Sequence, residues 1–177
     1  IDVDHPDLKD AIWVNEDEIP GDGIDNDGNG FIDDVNGWNF IDNNNQLCTG
    51  KEDNHGTHAA GTIAASRNNG GSVGITDNQY VKIMSIKALG GEEGKGSPES
   101  VIAAIRYAEA NGAQICNLSF GSENCTEEFR AAIQDSKMLF VVAAGNGNED
   151  EIGYNIDQNP VYPASLPYDN IITVANL

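Results

Sequence analysis

Between Tyr80 and Asn176 the chain alternates strand-like and helix-like runs, and this alternation constrains the fold more than any other feature. "YVKIMSIKAL" (80–89) is a continuous apolar run that reads as a buried strand. "SPESVIAAIRYAEANG" then opens with Ser97 as an N-cap and Pro98 at the first helical position, and it closes on Gly112. Val101, Ile102, Ile105 and Ala108 recur in it at helical spacing. "AQICNLSF" reads as a second strand. "TEEFRAAIQDSK" reads as a helix with Thr126 as N-cap, acids in the first turn and a Lys in the last. "MLFVVAAG" and "IITVAN" supply two more strands. Strand, helix, strand, helix, strand predicts an α/β fold, a mostly parallel sheet with helices on both faces. Ligand sites in such sheets lie beyond the carboxyl ends of the strands. Here those ends are "ALGGEEGKG", "SFGSEN" and "AAGNGNED", all rich in Gly and polar residues. The first half of the chain is loop-rich, and 177 residues suit one domain.

Charge narrows the function. The chain carries 29 acidic and 9 basic residues, a formal net charge of -20. Nucleic acid is therefore an unfavourable partner, since phosphates would be repelled. Two readings of the charge remain open, solubility and cation binding. No apolar run reaches the roughly 18 residues needed to span a membrane. The three cysteines, Cys48, Cys116 and Cys125, form no CxxC pair, which argues against zinc. Cys116 is expected to be a buried thiol, and Cys48 and Cys125 sit in loop contexts where they could pair.

The acids cluster in "GDGIDNDGNGFIDDVNG" (21–37), which holds five Asp, three Asn and five Gly. Counted from Asp25, the stretch resembles the start of an EF-type calcium loop. Asp25, Asp27 and Asn29 fall at positions 1, 3 and 5, Gly30 at 6, Phe31 at 7 through its carbonyl, and Asp33 at 9. Position 12 is Asn36, not the required Glu, and Pro20 with several Gly replaces the flanking helices. The loop is thus no EF-hand; Asp34 is the candidate for the last ligand. An Asx-turn cluster without metal is the competing reading.

"DNHGTHAAGTIAAS" (53–66) places His55 and His58 three apart, on one helix face if the segment is helical. Ala59, Ala60, Gly61, Ala64 and Ala65 would let such a helix press tightly on a sheet. From the residues alone, a metal pair, a structural pair and a catalytic base all remain open; no HExxH pattern accompanies them. "HGTHAAGTIAA", however, closely resembles the histidine motif of subtilisin-like serine proteases. "IDVDHPDL" resembles the segment after that family's catalytic Asp, "ICNLSFGS" its substrate-binding strand, and "VVAAGN" its oxyanion-hole strand. "YPASLPYDNIITVA" resembles the segment beyond. The motifs occur in the family's order along the whole chain, so residues 1–177 resemble a partial peptidase domain, three-layered in the family and incomplete at both ends, with an acidic insertion at about 21–37.

The resemblance implies roles. His55 matches the general base of a Ser/His/Asp triad, and Asn146 the side chain that donates to the oxyanion. Ser119, Phe120 and Gly121, with Ala144 and Gly145, match the backbone that binds an extended polypeptide substrate, or a propeptide or protein inhibitor, by β-augmentation. Gly121 and Gly145 are expected to leave room for it. His58 matches a non-catalytic, structural position. Calcium is the implied cofactor: members with such an insertion hold calcium there, and a second loop implies ligands at Asp7, Ser66, Asn68, Gly70 and Ser72. The family's catalytic Asp lies in an Asp-Thr-Gly turn before the equivalent of Ile1, and its nucleophile in a Gly-Thr-Ser-Met-Ala motif beyond the "YPA" segment. Neither motif occurs in residues 1–177, so this segment alone is expected to be inactive. Glu92 and Glu93 match one wall of the cleft and would favour basic side chains at outer subsites. The expected location is extracellular or cell-surface, with an intracellular one left open by the family. "NCT" at Asn124 and "NLS" at Asn117 are sequons, the second in a strand expected to be buried. The alternative reading is a non-catalytic calcium-binding or pseudoprotease scaffold module.

Overall fold

The computed structural model describes residues 1–67, 69–90, 94–147, 153 and 155–175. Two compact units, Ile1–Ala104 and Ile105–Leu177, are described in turn.

The first unit is dominated by irregular backbone, as the loop-rich sequence requires. Strand β1 (Gly37–Asn39) pairs in parallel with β2 (Ser85–Lys87), with Gly37 opposite Ser85 and Asn39 opposite Lys87. Only glycine fits at 37: its φ is 129°, and a Cβ there would lie 1.7 Å from the Ser85 carbonyl oxygen. Asn39 is fully buried and satisfied, donating to Asp42 and the Gln46 carbonyl while accepting from the Ile41 and Asp42 amides.

A short 3-10 turn (Lys51–Asp53) runs directly into helix α1 (Asn54–Ala64). Ala60 packs into an apolar cluster with Leu8 and Ile12, joined by Ile1, Val3 and Ile83. The small residues of α1 do serve a close approach. What crosses the last turn is the Gly74–Thr76 segment, whose amides reach the Ala65, Thr62 and Ile63 carbonyls. A Cβ at Gly74 would lie 2.4 Å from the Ala65 nitrogen.

The run Tyr80–Leu89 is strand only over Ser85–Lys87. The amides of Tyr80 and Val81 both close on the Asp77 carbonyl, so the chain is still turning there, and Tyr80 is 85% exposed. Regular pairing begins with an isolated parallel bridge from Ile83 to Ile12.

Helix α2 (Pro98–Ala110) behaves as its sequence predicts. Ser97 Oγ accepts from the Ser100 amide at 3.2 Å, Val101, Ile102, Ile105 and Ala108 are all buried, and Gly112 ends the helix at φ +79°. The second unit then builds a three-stranded parallel sheet in the order β3 (Ile115–Leu118), β4 (Leu139–Ala143), β5 (Ile171–Val174). Helix α3 (Glu127–Gln134) links β3 to β4, and Thr126 Oγ1 caps it through the Phe129 amide. No basic residue stands in its last turn; Lys137 lies past its end.

Leu118, Phe140 and Val142 fill the buried side of this sheet, and Phe129, Ile133 and Met138 are buried in the same unit. The alternate residues Ile115, Ile172 and Val174 are 50–62% exposed, and Asn117 on the same face is exposed rather than buried. Cys116 is half-buried, and burial pushes its thiol up to about 11. All three cysteines are free thiols.

Candidate functional site

Three groups of residues predicted from sequence are brought together locally. In the second unit, β3 and β4 are parallel neighbours, with Leu118 opposite Val142. Ser119–Gly121 and Ala144–Asn146 therefore both lie just past the carboxyl ends of adjacent strands. The Ala144 amide still bonds to the Val174 carbonyl at 2.9 Å, which anchors the exit from β4. Asn146 follows, exposed, between Gly145 (φ +104°) and Gly147 (φ +86°). Those positive φ values turn the backbone sharply and present the Asn146 amide at the strand end.

Ser122 and Tyr162 form an antiparallel bridge with both bonds made, at 2.9 and 2.8 Å. Ser119–Gly121 is the stretch between the end of β3 and this bridge. The room expected beside Gly121 is occupied by Val161: a Cβ on Gly121 would lie 2.5 Å from Val161 Cγ1, and one on Gly145 would lie 4.0 Å from both Val161 methyls. Arg130 stacks its guanidinium 4.8 Å over the Tyr162 ring, and shallow hollows of about 430 and 410 Å³ flank that tyrosine.

In the first unit, α1 carries His55 and His58, both exposed. His55 is the second residue of the helix. Asp53, at the N-cap position, does not cap; its buried carboxylate instead pairs with Lys87 Nζ at 2.8 Å. Lys87 also donates to Thr49 Oγ1 at 2.6 Å, and the Thr49 amide donates to the same Asp53 oxygen at 2.8 Å. Desolvation works to raise the Asp53 pKa, but the Lys87 and Thr49 hydrogen bonds outweigh it and hold the carboxyl below the usual aspartate range. Nothing local in the sequence marks this pair, whose members are 34 residues apart.

The acidic loop collects only some of its predicted ligands around one point. Oxygens of Glu18, Asp27 and Asp34 lie within 4.8 Å of one another, a group able to hold a metal ion. Asp34 is fully buried, Glu18 nearly so, and Asp27 exposed. Asn15 donates 3.0 Å bonds to Asp27 and Asp34, and so does Asn29. At Asp27 these bonds and the Asn29 amide outweigh desolvation and lower its pKa. Asp25 accepts from the backbone amides of Asn29 and Gly30. The Asp33 carboxylate turns to the amides of Gly21 and Gly23, with Asp33 itself at φ +55°. The Phe31 ring packs edge-on against Trp38 and Phe40. Glu18 and Asn15 lie upstream of the motif, and spacing within the loop gave no sign of them; Glu18 accepts from the amides of Asn26, Asp27 and Asp33.

Asp7 meets the second loop: its carbonyl accepts from the Ser66 amide at 2.9 Å, and its carboxylate accepts from Asn69. Gly70 stands at φ +84°, and Ser72 continues the same exposed turn. Asn68, Glu92 and Glu93 lie outside the described residues. Among the described residues no helix is long and apolar enough to cross a membrane.

Comparison with known proteins gives one consistent answer. A model of the subtilase family matches residues 1–177. Subtilisin-like protease 1 of Plasmodium falciparum (isolate 3D7) is 36% identical over 191 residues, covering 100% of this chain and 27% of its own. The major intracellular serine protease of Bacillus subtilis (strain 168) is 33% identical, covering 99% and 48%. The chain therefore spans less than half the length of these relatives. Among solved structures, the psychrophilic subtilisin-like protease Apa1 of Pseudoalteromonas sp. AS-11 aligns with TM-score 0.53 and 36% identity over 67% of this chain and 26% of that one. Fervidolysin of Fervidobacterium pennivorans, described as a keratinolytic enzyme related to subtilisin, gives 0.53 and 30% over 67% and 17%.

Proposed function

The chain belongs to the subtilase family, and from that premise we propose that it forms the core of a calcium-stabilised serine endopeptidase. The observation that carries this reading is Asn146, presented between two positive-φ glycines past the end of β4, next to Ser119–Gly121 past the end of the neighbouring strand β3. That stretch offers backbone groups to an extended polypeptide, whether substrate, propeptide or inhibitor. The Asn146 amide donates to the oxygen of the attacked carbonyl as negative charge develops on it. A donor of this kind contributes about 2.7–4 kcal/mol to the transition state, a magnitude taken from subtilisin itself. His55 accepts the proton of a serine hydroxyl supplied elsewhere in the complete protein and returns it to the leaving amine. Residues 1–177 alone lack the serine motif and the Asp-Thr-Gly turn and do not hydrolyse peptides.

Calcium is assigned to Glu18, Asp27 and Asp34, with Asn29 alongside and Asp25 as a further candidate carboxylate. Clustered hard oxygen donors suit this ion. Its role is to neutralise converging carboxylates and hold the loop, which stabilises the fold by linkage and takes no part in the reaction. Asp7 and the 66–72 loop form a second, weaker candidate site. Calcium sites of this type favour an extracellular or cell-surface location, although the Bacillus relative is named as intracellular.

The test is peptide hydrolysis by the full-length protein. His55→Ala should abolish turnover, and Asn146→Ala should lower kcat about 100- to 1,000-fold with little change in KM. Hydrolysis by residues 1–177 alone, or by full-length His55→Ala at the parent rate, overturns the reading.

A further inference from the structure

A charged pair lies buried beneath the turn that presents His55. The Lys87 and Asp53 side chains are only 4% and 8% exposed, and their contact is 2.8 Å. Thr49 closes the arrangement from both sides: its hydroxyl accepts from Lys87 and its amide donates to Asp53. The Asp53 carbonyl in turn accepts from Thr57 Oγ1 at 3.0 Å, and Thr57 Oγ1 accepts from the Asp2 amide at 2.9 Å. The first turn of α1 is thus tied to the N-terminal segment and to β2. His55 is exposed, so core packing does not hold its ring. Its place is set by the backbone of Asp53–Thr57, and that backbone is held by these bonds.

Burying two charges is costly, and an apolar pair of the same volume is often as stable or more so. Stability alone is therefore a weak reason for an ion pair here. Directional bonding is a stronger one, because Lys87 and Asp53 fix both the height and the rotation of the helix start. We propose that the Asp53–Lys87 pair is the positioning element for His55, locking the first turn of α1 to β2 so that the imidazole stands where a proton must be accepted. This rests on the reading of His55 as the proton acceptor. Misplacing a reacting group by about 1 Å can cost 100-fold in rate.

The experiment uses the full-length protein carrying Lys87→Met, and Asp53→Leu together with Lys87→Met. The single variant leaves Asp53 buried and unpaired and should melt early. The double variant should regain much of the parent melting temperature. Its kcat should nevertheless stay about 10- to 100-fold low with KM within about twofold, and amide exchange at Asn54–Thr57 should run about tenfold faster than in the parent, with the rest of α1 unchanged. Parental exchange at Asn54–Thr57 in the double variant overturns the proposal, as does parental kcat. If His55→Ala leaves hydrolysis untouched, the proton-acceptor reading fails by itself, and the exchange measurement still decides whether the pair holds the turn.

Discussion

Two carboxylates in the first unit are buried almost equally and held in opposite ways. Asp53 has a lysine ammonium at 2.8 Å, brought from a distant strand. Asp34 is bound by the neutral amides of Asn15 and Asn29, with Glu18 and Asp27 converging on the same point. One arrangement carries its own positive charge within the chain. The other gathers negative charge and, on the proposed reading, takes its positive charge from solution. The stability of the first should be indifferent to ions in the buffer, and that of the second should follow them.

The largest expected effect breaks the first member of this comparison. Asp53→Asn leaves Lys87 buried without its counter-charge and should cost about 3–5 kcal/mol, by the same amount with calcium or with EDTA in a chemical denaturation series. Chelation breaks the second. If calcium stands at a hundred times its dissociation constant, EDTA should remove about 2.7 kcal/mol, read as a fall in the melting midpoint that added calcium restores. An unchanged midpoint would mean that the acidic loop is held by its amides alone. Asn29→Ala sharpens the contrast further. It removes one amide group shared by Asp27 and Asp34 and should cost about 1 kcal/mol in EDTA, without altering the effect of Asp53→Asn.

The smallest effect is in acid. Asp53 has its folded pKa below the ordinary aspartate value, so its contribution is complete above about pH 3.9. It is lost as the pH falls through the lower folded value. Asp27 shifts in the same direction. Acid titration of Asp53→Asn should therefore show a shallower loss of stability below about pH 4 than the parent; an unchanged slope would remove Asp53 from the account.

The same contrast explains what the sequence made legible. From α2 onward the chain is built by periodic apolar runs and caps, and Pro98, Gly112, Thr126 and the three strands of the β3–β4–β5 sheet stand where those signals placed them. Periodicity failed at Tyr80–Leu89, because an apolar run does not reveal that Asp77 holds the chain in a turn. In the acidic loop, composition announced carboxylates, but which of them face inward depends on single backbone angles. Asp33 at φ +55° swings toward Gly21 and Gly23, and Glu18 enters from outside the motif. The pairing of Lys87 with Asp53 is a tertiary event with no sequence period at all. The family motifs point to His55 and Asn146 as the residues to test, where periodicity has nothing to say about chemistry.

Val161 has a consequence of its own. Its isopropyl group touches the positions of both Gly121 and Gly145, which belong to the two chain segments leaving β3 and β4. It limits what these two positions can carry: a methyl at 121 would displace it, while one at 145 would only meet it. Trimming Val161 to Ala removes the atom that a Cβ at 121 would meet first, so the demand for glycine at 121 is set from forty residues away.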